Sequence, residues 1–118
     1  MCGIVGFINL QNNYSFDPLL LIKNMINEVR SRGPDFQNHW SDKENQVYLG
    51  HTRLAIIDLT QRSNQPIQTQ DGNWTIIFNG EIYNYEELKK SFENKNNLSG
   101  DTSVLVALIA KYGFESAI

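Results

Sequence analysis

Residues 37–58 read QNHWSDKENQVYLGHTRLAIID, and this stretch decides the fold class. Gln37 to Trp40 and Gln46 to His51 carry strand-forming residues on either side of a polar run, Asp42 to Asn45, that suits a turn. Arg53 to Asp58 is a further short apolar run and is expected to form a strand of its own. Three strands in succession, with no helix between them, exclude a strict βαβ alternation and point to an antiparallel sheet.

Working outward, Gly3 to Leu10 (GIVGFINL) is a strand ended by Gln-Asn-Asn. Asp17-Pro18 then supplies an N-cap and a proline at the first helical position. Leu19, Ile22, Met25, Ile26 and Val29 follow at helical spacing, which predicts an amphipathic helix over 18–30, stopped by Gly33-Pro34. Downstream, a turn at Asp71-Gly72-Asn73 leads into Trp74 to Asn79 (WTIIFN), the clearest strand in the sequence. Asn84 caps a helix from Tyr85, with Glu87 at the capping-box position. Asp101 or Thr102 caps another, whose apolar face is Val104, Leu105, Leu108, Ile109 and Tyr112, and Gly113 suits the left-handed residue beyond its end. The expected class is α+β, an antiparallel sheet packed on helices, in one domain over 1–118.

With 10 basic and 13 acidic residues, the formal charge of −3 argues against a nucleic-acid surface. No run of about 18 apolar residues is present to cross a membrane, and the N-terminus lacks the charged and apolar regions of a signal peptide. The expected location is cytoplasmic. The sequons at Asn13, Asn73 and Asn97 are therefore chance matches. One cysteine and two scattered histidines make neither a disulfide nor a zinc site, so no metal is expected. His39 and His51 read as structural rather than catalytic: His51 can be satisfied by local hydrogen bonds in its strand, and a base role for it has no support in the sequence.

Cys2 fits a small buried hydrophobe, and it also fits a nucleophile. Removal of Met1 would place the α-amine, with an ordinary pKa of about 7.7–8.0, beside the thiol as its base. Gly3 lets a substrate approach the backbone. A thiolate attacking a carbonyl needs donors for the oxyanion, and Asn79-Gly80 offers a side-chain amide next to a backbone N–H. The same dipeptide is a common hairpin turn, although here the chain runs into a helix cap with no partner strand. Arg53 in its apolar run could fork onto a carboxylate, or could be an exposed charge at a strand end. Asp101 could hold an ammonium, or simply cap its helix.

The ordered set Met-Cys-Gly-Ile, Arg32-Gly33-Pro34-Asp35, Arg53-Leu54-Ala55-Ile56-Ile57-Asp58, Gln65-Pro66, Phe78-Asn79-Gly80-Glu81-Ile82-Tyr83-Asn84 and Gly100-Asp101-Thr102 resembles the N-terminal glutaminase domain of glutamine-hydrolysing asparagine synthetases, which are class II glutamine amidotransferases. The similarity covers essentially the whole chain. It implies an N-terminal-nucleophile hydrolase fold, a four-layer αββα sandwich. It also implies that Cys2 attacks the side-chain amide of L-glutamine, forming a thioester as ammonia leaves, and that water then releases glutamate. Asn79 and Gly80 match the oxyanion hole, Arg53 the α-carboxylate ligand, and Asp101 with Glu81 the α-amine site, while Leu54, Ala55, Ile56 and Ile57 line the pocket. Ser31 and Ser103 depart from the family's usual His and acidic residue at those places. The family's domain continues past the position matching Ile118, so the resemblance implies sheets incomplete at the C-terminus, with an apolar edge that a homodimer or a partner chain would cover. ATP and Mg²⁺ would belong to a synthetase domain absent from this chain.

Overall fold

Gly3–Ile8 (β1), Phe36–Asp42 (β2) and Val47–Arg53 (β3) form the main sheet in the computed structural model, which describes residues 2–11, 15–56 and 59–118. The strand order is β1-β3-β2, antiparallel throughout, with Gly3 opposite Thr52, Ile8 opposite Val47, and Phe36 opposite Arg53. The β2–β3 hairpin closes where the Asp42 carboxylate accepts the N–H groups of Glu44 (2.9 Å) and Asn45 (3.1 Å). These bonds and the Asn45 side-chain amide hold its pKa below the usual carboxylate value.

Pro18–Glu28 (α1) covers one face of the sheet. Its N-cap is Asp17, whose carboxylate accepts from Leu19 N–H at 2.9 Å, as the Asp-Pro pair predicts. The buried side chains Ile22 and Ile26 meet Tyr48 there, with Val5, Phe7, Leu19 and Met25 packed around them. Phe7 and Tyr48 stack with ring centroids 4.7 Å apart. Gly50 is required for this close seating, because a Cβ at that position would lie 2.6 Å from Ile26 Cγ1 and 2.8 Å from Val5 Cγ2.

Two expected strands are altered by competition for their amide groups. The run from Arg53 is not a separate strand. β3 ends at Arg53, and the next two N–H groups go to side chains: Leu54 to Cys2 Sγ at 3.4 Å and Ala55 to Asp35 Oδ2 at 2.8 Å. Ile57 and Asp58 lie outside the described residues. The Trp74–Asn79 run contributes only Thr75–Ile76 (β5), paired with Ile67–Gln68 (β4). Its turn is as expected, with Gly72 at φ 73° and the Asp71 carboxylate accepting from Asn73 N–H. Past Ile76 the ladder stops, because Phe78 N–H is taken by the Gln65 side chain.

Tyr85–Lys89 (α2) is short, and the Asn84 side chain makes no cap bond, so the expected capping box with Glu87 does not form. Asp101–Tyr112 (α3) buries Val104, Leu105, Leu108 and Ile109, whereas Tyr112 is half exposed. Its N-cap is Gly100 rather than Asp101 or Thr102, with Ser103 Oγ accepting Gly100 N–H at 3.1 Å and donating to Gly100 C=O at 2.6 Å. Gly113 ends α3 at φ 81°, and its N–H reaches Ile109 C=O at 2.9 Å. Phe114–Ala117 (α4) then turns back on α3. The observed architecture is thus α+β with antiparallel sheets.

Candidate active site

The sheet ends and the loops beyond them enclose a cavity of about 320 Å³. Cys2 enters at the start of β1. Its neighbour Gly3 lies so close to Thr52 Oγ1 that a Cβ there would stand 2.6 Å away. The carbonyl of Cys2 accepts from Arg32 Nε at 3.1 Å, while its thiol sits beside Leu54 N–H. The same thiol lies 3.9 Å from Leu54 C=O, to which it donates, so both polar groups of Leu54 hold the sulfur in place.

Arg53 enters from the last position of β3 and is buried, at 7% exposure. One guanidinium nitrogen, Nη1, donates to Thr60 C=O at 2.7 Å and to Asn64 Oδ1 at 2.6 Å, which fixes the plane of the fork. The Arg53 backbone is held as firmly. Its C=O accepts from Asp35 N–H at 3.0 Å, and Gly33 lies flat against the Thr52–Arg53 peptide. The Arg-Gly-Pro-Asp segment therefore braces both Cys2 and Arg53.

Across the cavity lie Asn79, Gly80 and Glu81, on the loop between β5 and α2. Asp101 reaches the same wall from the first turn of α3, and its Oδ2 accepts from Ile82 N–H at 3.2 Å. This bond joins the carboxylate to the loop carrying Asn79 and Gly80. The cavity thus presents a thiol, a guanidinium, a side-chain amide, a backbone loop and two carboxylates, together with the apolar side chains of Leu54 and Ile56. That set suits a zwitterionic amino acid: one end anionic, one cationic, with a carbonyl-bearing side chain directed at sulfur.

Most residues singled out from the sequence meet here. Ala55 does not line the cavity and instead spends its N–H on Asp35, while Ile57 is outside the described residues. Ser63, Gln65, Phe78, Tyr83 and Thr102 also line the wall; all but Ser63 stand in the motifs quoted above, but sequence alone assigns none of them a site role. Ser63, Gln65, Phe78 and Tyr83 come from single turns or irregular stretches and Thr102 from the first turn of α3, so their approach to one cavity depends on tertiary contacts. Gln65 is the strongest of these, 4% exposed with a hydrogen bond across to Phe78.

His51 corrects another expectation. It is fully buried on β3, where neither ring nitrogen makes a hydrogen bond of good geometry and the Phe78 backbone is a weak polar neighbour. Burial pushes its pKa down to about 4, against an opposing pull from the Phe78 backbone and in the same direction as repulsion from Arg53. It is therefore a neutral imidazole at pH 7, and it does not line the cavity. Among the described residues no group of three or more His, Cys, Asp or Glu could hold a metal ion, and no helix is long and apolar enough to cross a membrane.

Comparison with known proteins agrees with this chemistry. The family profile described as "Glutamine amidotransferase domain" matches residues 1–118. The chain is 40% identical over 121 residues to asparagine synthetase [glutamine-hydrolyzing] 1 of Bacillus subtilis, covering 99% of this chain and 19% of that protein. It is 35% identical to the amidase chry2 of Gibberella zeae, covering 96% of this chain and 18% of the relative. Against the putative asparagine synthetase [glutamine-hydrolyzing] 2 of Methanocaldococcus jannaschii it is 33% identical, covering 98% and 25%. The chain thus spans a quarter or less of the length of these relatives. With the profile matching from end to end, the chain belongs to the glutamine amidotransferase domain family.

Proposed function

We propose that this chain hydrolyses L-glutamine to glutamate and ammonia, with Cys2 as an N-terminal nucleophile. The observation that carries the reading is the meeting of Cys2, Arg53, Asn79, Gly80 and Asp101 around one cavity, although they are spread over a hundred positions. In this scheme the substrate α-carboxylate lies on Arg53, and its α-ammonium lies against Asp101 and Glu81. The Cys2 thiolate, its proton passed to the α-amine freed by loss of Met1, attacks the side-chain carbonyl carbon. Asn79 and the Gly80 N–H take the charge that develops on oxygen. The intermediate collapses as the C–N bond breaks, ammonia leaves with the proton returned by the α-amine, and a thioester remains. Water adds to that thioester, the C–S bond breaks, and glutamate departs with the thiol restored.

The finer fold reading follows the same line. β1 to β3 with α1 on one face, and β4–β5 with α3, are read as parts of an αββα N-terminal-nucleophile sandwich. The acceptor of the ammonia is read as an asparagine-synthetase-type domain, with ATP and Mg²⁺ belonging to that domain. A second reading, a module inactive until a partner chain covers it, is favoured by one observation. An apolar groove of about 870 Å³ runs beside α3, with Trp74, Phe114 and Ile118 exposed along it.

Intact mass after brief incubation with a glutamine-like diazo-ketone separates the two. Loss of Met1 with one adduct mapped to Cys2, absent in Cys2→Ala, supports the hydrolase. Met1 retained, or labelling unchanged in Cys2→Ala, refutes it. Met1 lost with no adduct favours the partner-dependent module.

A further inference from the structure

The loop carrying Asn79 and Gly80 has to keep its shape without the support of a β-ladder. The last ladder pair is Ile67 with Ile76, so Ile77, Phe78 and Asn79 run free of the sheet. The N–H that a longer strand would have paired, that of Phe78, is instead accepted by Gln65 Oε1 at 2.5 Å. Gln65 is 4% exposed and lies on the cavity wall. Its backbone follows Asn64, which holds Nη1 of Arg53. On the far side of Phe78, the ring folds back over Gly80, so that a Cβ on Gly80 would lie 2.7 Å from Phe78 Cζ. Phe78 is therefore fixed at its amide by Gln65 and touches Gly80 with its ring.

On these contacts we propose that Gln65 is a positioning residue, acting through Phe78 to set the Asn79-Gly80 donors against the reacting oxygen; this rests on the glutamine-hydrolase reading above. A backbone donor stabilises an oxyanion in proportion to how well it is aimed before the charge appears. The Gln65 carboxamide replaces the missing ladder bond, and its reach fixes the distance between the Arg53 side of the cavity and the opposite wall. Because an oxyanion exists only in the transition state, an error in aim lowers kcat and leaves substrate affinity nearly unchanged.

The test compares the full chain with Gln65→Met, which keeps the length and loses the acceptor, and Gln65→Glu, which keeps an acceptor on the same stem. Two readouts are taken: kcat and KM for glutamine hydrolysis, and amide hydrogen exchange at Phe78 by NMR. Gln65→Met is expected to speed Phe78 exchange about tenfold or more and to lower kcat about tenfold, with KM within about twofold, the loss of one buried hydrogen bond. Gln65→Glu should keep Phe78 protected and should have a higher kcat than Gln65→Met. Unchanged exchange in Gln65→Met, exchange that rises with no fall in kcat, or a loss confined to KM overturns the proposal. If Gln65→Met does not fold, Gln65→Asn, which withdraws the acceptor by one methylene, takes its place with the same two readouts and the same deciding outcomes. A wild-type chain with neither turnover nor a Cys2 adduct refutes the hydrolase reading and this inference with it. An active wild type with an unaltered Gln65→Met refutes only the inference.

Discussion

Replacing His51 by Leu should change how the protein's stability depends on pH. His51 sits on β3 opposite Ile4 and Asn38, on the face turned away from α1, because its neighbour Gly50 faces Ile26. Burial, with the Phe78 backbone pulling weakly the other way, brings its native pKa down to about 4 against an ordinary 6.5. The native value lies below the unfolded one, so as pH falls the unfolded chain takes up the proton first. Stability from this group is full above about pH 6.5 and is lost as pH drops toward 4. A lowering of this size corresponds to a few kcal/mol at most. Relaxation of the protein around the charged ring would bring that to about 1–2 kcal/mol. The assay is urea unfolding followed by tryptophan fluorescence from pH 4 to 8. Wild type should lose about 1–2 kcal/mol between pH 6.5 and 4.5 beyond whatever His51→Leu loses. At pH 7 the variant should match wild type to within about 1 kcal/mol, because it exchanges two poorly bonded polar atoms for an apolar group of similar size. Parallel curves for the two proteins across this range would show that His51 is neither buried nor neutral in the way described.

Arg53→Ala should raise KM for glutamine roughly 30-fold, about 2 kcal/mol, with a smaller effect on kcat. Asn79→Ala should lower kcat by about 10²–10³ with KM nearly unchanged, and steady-state kinetics that reversed this split would reassign both residues. Gly33→Ala should cost about 3 kcal/mol in a thermal or urea melt. Its Cβ would fall 2.4 Å from Thr52 C and O and 2.5 Å from Arg53 N, backbone atoms that cannot move aside, so a wild-type melt would contradict the packing.

Local pattern was enough to place β1 (an apolar run), the β2–β3 hairpin (a polar turn between strand formers), and α1 and the buried face of α3, whose apolar residues recur at helical spacing. Asp17-Pro18 marked a helix start for the same reason: the capping acceptor and the donors it satisfies are only two and three residues apart. The runs at 53–58 and 74–79 misled because periodicity measures apolarity, whereas a strand also needs a partner for every N–H. Leu54, Ala55 and Phe78 give theirs to Cys2, Asp35 and Gln65, which lie 52, 20 and 13 positions away.

The site divides in the same way. Cys2, Asn79-Gly80, Arg53 and Asp101 are legible as chemistry, since a thiol near the terminus, an amide beside a flexible backbone, and opposite charges are properties of residue types. That they share one cavity is a property of the fold alone. So is the difference between two unremarkable polar side chains: Gln65, which bonds across to Phe78, and His51, which is buried and held neutral. Sequence determined which groups could react, because reactivity belongs to the side chain. Tertiary structure decided which of them meet, and which amides are left to hold them, because those depend on distances between segments that the order of residues does not encode locally.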